Sequence, residues 1–176
     1  MRKVASGQKG RNQKGFTLLE LLVTIAIIGI VLAIGTPAVS VWLQRAQIQS
    51  ETQKYLGTLS LARSTAISNN QAITISFTGP DADRRRFIDV FTDTDDNQTF
   101  SGTDVFITQL EVEPTSLDIS IESPIGTAVT AISFDANGRL IGQPAQIDIE
   151  NDNQDFGRLI DINPVGRAAV SEKTVF

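Results

Sequence analysis

Phe16 to Leu43 is a run of 28 residues with a single charge, Glu20. A run of that length and character constrains the chain more than any other feature. About 20 apolar residues are enough for a helix to cross a bilayer, whereas a helix that lives in water needs a polar face. Ahead of the run stand Gly15 and a segment with Arg2, Lys3, Lys9, Arg11 and Lys14, five of the chain's 15 basic residues and none of its 20 acidic ones. A secretory signal has an apolar region of only ~7–15 residues, so this run is too long for one. A plain membrane anchor fits the length, with the basic flank in the cytoplasm and the acidic bulk across the membrane. It leaves Glu20 unexplained, because a charge inside the bilayer costs ~2.5–3.5 kcal/mol and normally has a partner. After Gly15 the next basic residue is Arg45. A cut between Gly15 and Phe16 would supply the partner, as an α-amino group four residues from Glu20 or its counterpart on a neighbouring copy.

Composition narrows the chemistry. There is no cysteine and no histidine, which removes disulfides, thiolate nucleophiles, the usual general base near neutral pH and the commonest metal ligands. No nucleophile–base pair stands out, and the reading is a non-enzymatic protein. Beyond Gly15, ten basic residues face 20 acidic ones, a net −10. Such a surface repels phosphate, so any nucleic-acid contact has to come from a local patch.

Lys14-Gly15 followed by Phe16-Thr17-Leu18-Leu19-Glu20 and an apolar helix resembles the prepilin motif of type IV pilins and type II secretion pseudopilins. The resemblance implies cleavage after Gly15 by a prepilin peptidase, methylation of the Phe16 amine, and pairing of Glu20 with the Phe16 amine of an adjacent subunit. Pro37 removes a helix hydrogen bond, and Gly29 and Gly35 lower helix propensity nearby. The resemblance implies that this region opens when subunits pack.

The helix is expected to continue past the apolar run. Ile48, Tyr55, Leu59, Ala62 and Ala66 recur at spacings that put them on one helix face, and Ser68-Asn69-Asn70 is the expected stop. From Gln71 the period becomes two. Ile73, Ile75 and Phe77 alternate with polar residues, as do Leu117, Ile119 and Ile121, and Ile147 with Ile149. Further apolar runs are Phe87 to Phe91, Val105 to Leu110, Ala131 to Phe134 and Leu159 to Ile162. Turn signals separate them at Gly79-Pro80, Asn137-Gly138, Gly142 with Pro144, and Pro164 with Gly166. Asn137-Gly138 predicts a two-residue hairpin loop. The expected layout is α+β: residues 1–15 a leader, 16–43 a transmembrane and assembly helix, 44–69 its amphipathic continuation, and 70–176 an antiparallel β-rich head.

Leu59-Ser60-Leu61-Ala62-Arg63-Ser64-Thr65-Ala66-Ile67 resembles the ARxxAI segment of the GspH/FimT group of pseudopilins and minor pilins, and Phe134 with Gly138 and Gly166-Arg167 fall where that group has such residues. The resemblance implies a type IV pilin-like fold and a structural subunit of a pilus or a type II secretion pseudopilus. Such a subunit is made as a single-pass inner-membrane protein with its head outside the cytoplasm. Its partners would be other pilin or pseudopilin subunits and the prepilin peptidase, and its place would be in assembly priming or near the tip. A tip module binding DNA or surfaces, and an ordinary major pilin, are the competing readings.

The head offers three candidate sites. DTDDNQTFSGTD, Asp93 to Asp104, places oxygen side chains at loop positions one, three, five, seven, nine and twelve, the spacing of a calcium loop. Asp93, Asp95, Asn97 and Asp104 are the candidate ligands. Gln98 stands where glycine belongs, Asp104 where Glu belongs, and no helices flank the loop; a solvated acidic loop is the favoured reading, with no cofactor. Asn97-Gln98-Thr99 also has the pattern of a glycan acceptor. Arg84, Arg85 and Arg86, expected in a hairpin loop, and Arg167 are the candidate DNA or phosphate contacts. Asp81 and Asp83 dilute that charge, and Ala169 stands where a second arginine of a GRxR motif would be.

Overall fold

The computed structural model describes residues 16–79, 86–95, 97–112, 117–151 and 153–174, with backbone alone for 34–38 and 174. Two compact units are found, one ending at Val41 and one beginning at Trp42. A single helix, α1 (Leu18–Asn69), contributes to both. In its first part every large apolar side chain that is described, from Phe16 to Leu43, is exposed. Among the described residues no helix is long and apolar enough to cross a membrane. Pro37 falls inside α1, which is helical without interruption.

From Ile48 onward α1 has one buried face. Ile48, Tyr55, Leu59, Ala62 and Ala66 are all buried, the two alanines completely, as their spacing predicts. Polar residues share that face. Glu51 is buried and pairs with Lys54 Nζ at 2.8 Å, and the Thr52 and Thr58 hydroxyls donate to the carbonyls of Ile48 and Lys54 one turn back. The helix stops where expected. Asn70 takes φ of +53°, and the Gln71 amide donates to the Ala66 carbonyl at 3.2 Å, the six-to-one bond of a Schellman cap.

Among the described residues nine strands follow: β1 (Ile73–Thr78), β2 (Arg86–Thr92), β3 (Val105–Val112), β4 (Leu117–Glu122), β5 (Ala131–Phe134), β6 (Leu140–Ile141), β7 (Ala145–Asn151), β8 (Phe156–Ile162) and β9 (Ala168–Thr174). They form two sheets, in the orders β3-β2-β1-β5-β6 and β4-β7-β8-β9, with every pairing antiparallel. Pairing places apolar residues side by side: Ile75 between Val90 and Ile132, and Ile147 between Ile121 and Ile160. Residues of both sheets and the buried face of α1 make one core cluster, in which each fully buried Ile contributes ~1.5–3 kcal/mol.

Two expectations need correction. Asn137-Gly138 is not a two-residue loop. Gly138 N–H donates to Asp135 O and Asp135 N–H to Arg139 O, both at 2.8 Å, with Gly138 at φ +72°; this is a three-residue loop, a turn followed by a left-handed glycine. Asp135 takes over the pairing by accepting the amides of Asn137 and Arg139 on its carboxylate, each at 2.8 Å. The second correction is β9, which the sequence signals did not indicate. Ala168 to Glu172 are all exposed, so this edge strand has no buried side to impose an apolar alternation.

Among the described residues the same loop occurs three times. Ser123–Thr127 and Asn163–Arg167 repeat the bonds of Asp135–Arg139, with Gly126 at φ +78° and Gly166 at φ +77°. Two of the three dock on each other. Leu140 N–H donates to Pro164 O at 3.2 Å, and a Cβ on Gly166 would lie 2.1 Å from Gly138 O. Arg63 of α1 closes the junction, Nε donating to Gly138 O at 2.8 Å and a terminal nitrogen to Val165 O at 3.4 Å.

The loops yield two predictions. Gly126→Ala meets no atom within 4 Å, so it should cost only the left-handed strain of ~1–2 kcal/mol. Gly166→Ala should lower the melting temperature clearly more, because it also separates the docked turns; equal drops would mean that the contact adds nothing. Asp135 has its pKa lowered, first by the Arg139 amide and also by the Asn137 amide. Its contribution is therefore present above the ordinary carboxylate value of about 3.9 and is lost as pH falls through the lower folded value. Asp135→Asn keeps the acceptor oxygen that Asn163 supplies in the sister loop, and should flatten the fall of melting temperature below about pH 4. An unchanged acid limb would refute this role.

Candidate assembly site and head loops

Gly15 lies outside the described residues. From Phe16 onward the chain is exposed, Phe16 itself by 86%. Thr17 caps α1: its Oγ1 accepts the Glu20 amide at 3.2 Å, and its carbonyl accepts the first helical bond, from Leu21, at 3.2 Å. Thr17-Leu18-Leu19-Glu20 therefore starts the helix as a capping box does, with an acidic side chain at the third helical position, where the helix dipole favours it. This second role for Glu20 is legible in the Thr-x-x-Glu spacing. Among the described residues no basic side chain pairs with Glu20.

Among the described residues the candidate contacts Arg86 and Arg167 do not form one patch. Arg84 and Arg85 lie outside the described residues. Arg86 is not in a loop; it opens β2, half-buried, and donates to the Ile119 carbonyl at 2.6 Å. Nearby, burial pushes the Tyr55 phenol up to about 12, with Arg86 acting in the opposite direction. Arg167 is exposed in the Asn163–Arg167 loop, beside Arg63. Phe87 opposes Thr78 and Phe134 opposes Ile73, so Arg86 and Arg167 sit by opposite ends of β1. Arg158 lies 3.7 Å from Glu172. Lys173 is held by Asp148 and Glu150, whose hydrogen bonds raise its pKa. The spacing of the stripe gives Arg63 no role; a cation beside buried Leu59, Ala62 and Ala66 is the signal for one.

The acidic loop does converge. Carboxylate oxygens of Asp93, Asp95 and Asp104 lie within 4.8 Å of one another. Gln98, at the position where a calcium loop has glycine, adopts φ of +59°. Each carboxylate already has donors. Asp93 accepts the amides of Asn97 and Gln98 at 3.1 and 2.9 Å and the Thr74 hydroxyl at 3.1 Å. Asp104 accepts the amides of Thr94 and Ser101 at 2.9 and 2.8 Å, the Thr94 bond being the main cause of its lowered pKa. Asp95 accepts Asn97 Nδ2 at 2.8 Å and the Ser101 hydroxyl at 3.2 Å. Asn97 thus serves the loop's own bonds, and its side chain is exposed. Because the loop closes on these bonds, the expected melting temperature is the same with and without millimolar calcium. A calcium-dependent rise that disappears in Asp93→Ala and Asp95→Ala would make the loop a cation site.

Comparison with known proteins agrees with the fold and with the start of the chain. The family model of the type II transport protein GspH matches residues 51–166, and that of the prokaryotic N-terminal methylation motif matches residues 10–36. A fimbrial protein of Moraxella nonliquefaciens is 46% identical over 59 residues, which are 34% of this chain and 35% of that protein; the match thus spans about a third of the relative's length. Crystal structures of the type IV minor pilin FimU of Pseudomonas aeruginosa superpose with TM-scores of 0.58 and 0.51, at 20% and 19% identity. They cover 74% and 70% of this chain and 92% and 91% of theirs. The minor pseudopilin EpsH from the type 2 secretion system of Vibrio cholerae gives 0.50 at 14% identity, over 71% of this chain and 96% of that one. These likenesses establish the fold as that of type IV pilin-like minor subunits, and with residues 51–166 matched the chain belongs to the GspH family.

Proposed function

We propose that the protein is a non-enzymatic minor pilin or pseudopilin. It is held in the bacterial inner membrane by residues 16–43, with its head outside the cytoplasm. A prepilin peptidase cleaves it after Gly15, the Phe16 amine is methylated, and the subunit joins a pilus or a type II secretion pseudopilus through α1, priming assembly or standing near the tip. The observation that carries this reading is the first part of α1, apolar on every side and exposed in the isolated chain. A helix of that kind needs a bilayer or other helices around it. Glu20 then has two successive environments. Within the chain it stands at the positive end of α1, and in the filament it meets the Phe16 amine of a neighbour, a pairing that fixes the register of entry. The minor subunits FimU and EpsH, as fold relatives, favour a minor over a major subunit. Among the described residues the candidate phosphate contacts Arg86 and Arg167 lie by opposite ends of β1, so DNA contact is not part of this proposal.

The test follows the N-terminal peptide of this chain in sheared filaments and in the cell envelope by mass spectrometry. Methylated Phe16 is expected for the wild type. Glu20→Ala should leave cleavage intact and deplete the chain from the filament fraction; normal incorporation of this variant would remove the pairing role, and an intact leader in both fractions would remove the processing argument.

A further inference from the structure

Two stretches of sequence without a carboxylate meet beside α1. From Tyr55 to Gly79 the only charged residue is Arg63, and from Ile162 to Ser171 the only one is Arg167, in a chain with 20 acidic residues. They form the two walls of a cavity of about 380 Å³, with Leu56, Leu59, Ser60 and Arg63 of α1 on one side and Arg167 and Ala168 at the start of β9 on the other. Binding clefts have volumes of ~300–1,000 Å³. The floor of this one is apolar. Ala168 and Val170 oppose Ile162 and Ile160 in the ladder and so share their core-side face. Nevertheless Val170 is 38% exposed, and Val165, next to Gly166, is 55% exposed. The buried stripe of α1 thus leaves the edge strand beside it uncovered.

The guanidiniums are placed for an anion. The carbonyls of Gly138 and Val165 accept Arg63 Nε and one terminal nitrogen at 2.8 and 3.4 Å, which fixes the plane of the group without supplying a negative charge. Arg167 stands in a loop whose backbone is held, its amide donating to Asn163 Oδ1 at 3.0 Å, and its side chain is exposed. Among the described residues no carboxylate pairs with either guanidinium. The Asp135 carboxylate, in the neighbouring loop, accepts the amides of Asn137 and Arg139. Asp161 alternates with buried Ile160 and Ile162 and lies on the other face of β8. A guanidinium matches a carboxylate through two parallel hydrogen bonds. A nucleic-acid backbone would meet the same cations, but the chain beyond Gly15 carries a net −10, which repels a polyanion, and the apolar floor has no partner in a phosphodiester.

We infer that the groove between α1 and β9 docks a segment of another protein in which an Asp or Glu stands beside apolar side chains. The carboxylate is taken by Arg63 and Arg167, and the apolar groups rest on Leu56, Leu59 and Ala168. Arginine in a partly apolar cleft is a frequent centre of interface energy, and a guanidinium already held in place loses little freedom on binding. The inference goes beyond the proposed function and depends on neither cleavage nor filament entry, so the two can fail separately.

The experiment uses the full chain in detergent and a fluorescent synthetic peptide that alternates leucine and glutamate. Saturable binding that weakens with salt is expected. The same peptide with glutamine in place of glutamate should bind about tenfold or more weakly. Arg167→Gln should weaken binding of the glutamate peptide by a similar factor. So should Ser60→Glu, which sets a carboxylate in the cavity beside Arg63. Both positions are exposed, so both variants should keep the melting temperature of the wild type. No binding of the leucine–glutamate peptide would overturn the inference. Equal affinity for the glutamine peptide would do the same, since the contact would then be apolar alone, as would wild-type affinity in either variant. Duplex DNA that binds more tightly than the peptide and loses affinity in Arg167→Gln would also overturn it, because the groove would then be a nucleic-acid contact.

Discussion

Burial of one stripe of α1 is the constraint on which the head depends. From Ile48 to Ala66 the helix presents a face that both sheets share, and the inner residues of the two sheets join that face in a single cluster. The stripe meets the five-stranded sheet through Tyr55, whose ring stacks on Phe77 at 6.2 Å. Its far end is then secured by polar bonds. Arg63 leaves the helix one residue after buried Ala62 and donates to two loop carbonyls, one from each sheet. A guanidinium can do this because its donors are fixed in one plane and stay charged.

The three similar loops show how local chemistry and tertiary contact divide the work. Each forms from its own residues: a side-chain acceptor at the first position and a glycine with positive φ at the fourth. Only two of them touch, and there glycine has a second duty, since Gly138 and Gly166 lie where a side chain would hit Ile67 or the facing carbonyl. Gly126 has the same backbone angle and open space around it. The glycines matched by the family resemblance, Gly138 and Gly166, are the two at the junction.

The first part of α1 and the head obey opposite rules. The head buries an apolar core shared by α1 and both sheets and carries a net negative charge. In the run from Phe16 to Leu43 every large apolar side chain that is described is exposed. A carboxylate is affordable there because it lies in the first turn, where uncompensated amides face outward. Cleavage beside it would add a second positive group.

The sequence by itself determined the elements whose signal is local. The apolar run, the seven-four-three-four stripe, the helix stop at Asn69 and Asn70, and the strands with one buried face were all legible, because periodicity records which side of an element avoids water. The strand β9 was not, since a strand exposed on both faces has no such record. The three-residue form of the Asn137-Gly138 loop depended on Asp135 taking the place of a backbone acceptor. Tertiary structure alone decided the fate of the long-range pairs. It placed Arg86 on a carbonyl of the other sheet, brought Arg63 to loops 75 and 102 residues away, and drew three aspartates together at one end of a sheet. Charge and spacing announce that such groups need partners, but which partner each one finds is set by chain segments far apart in sequence that the core brings side by side.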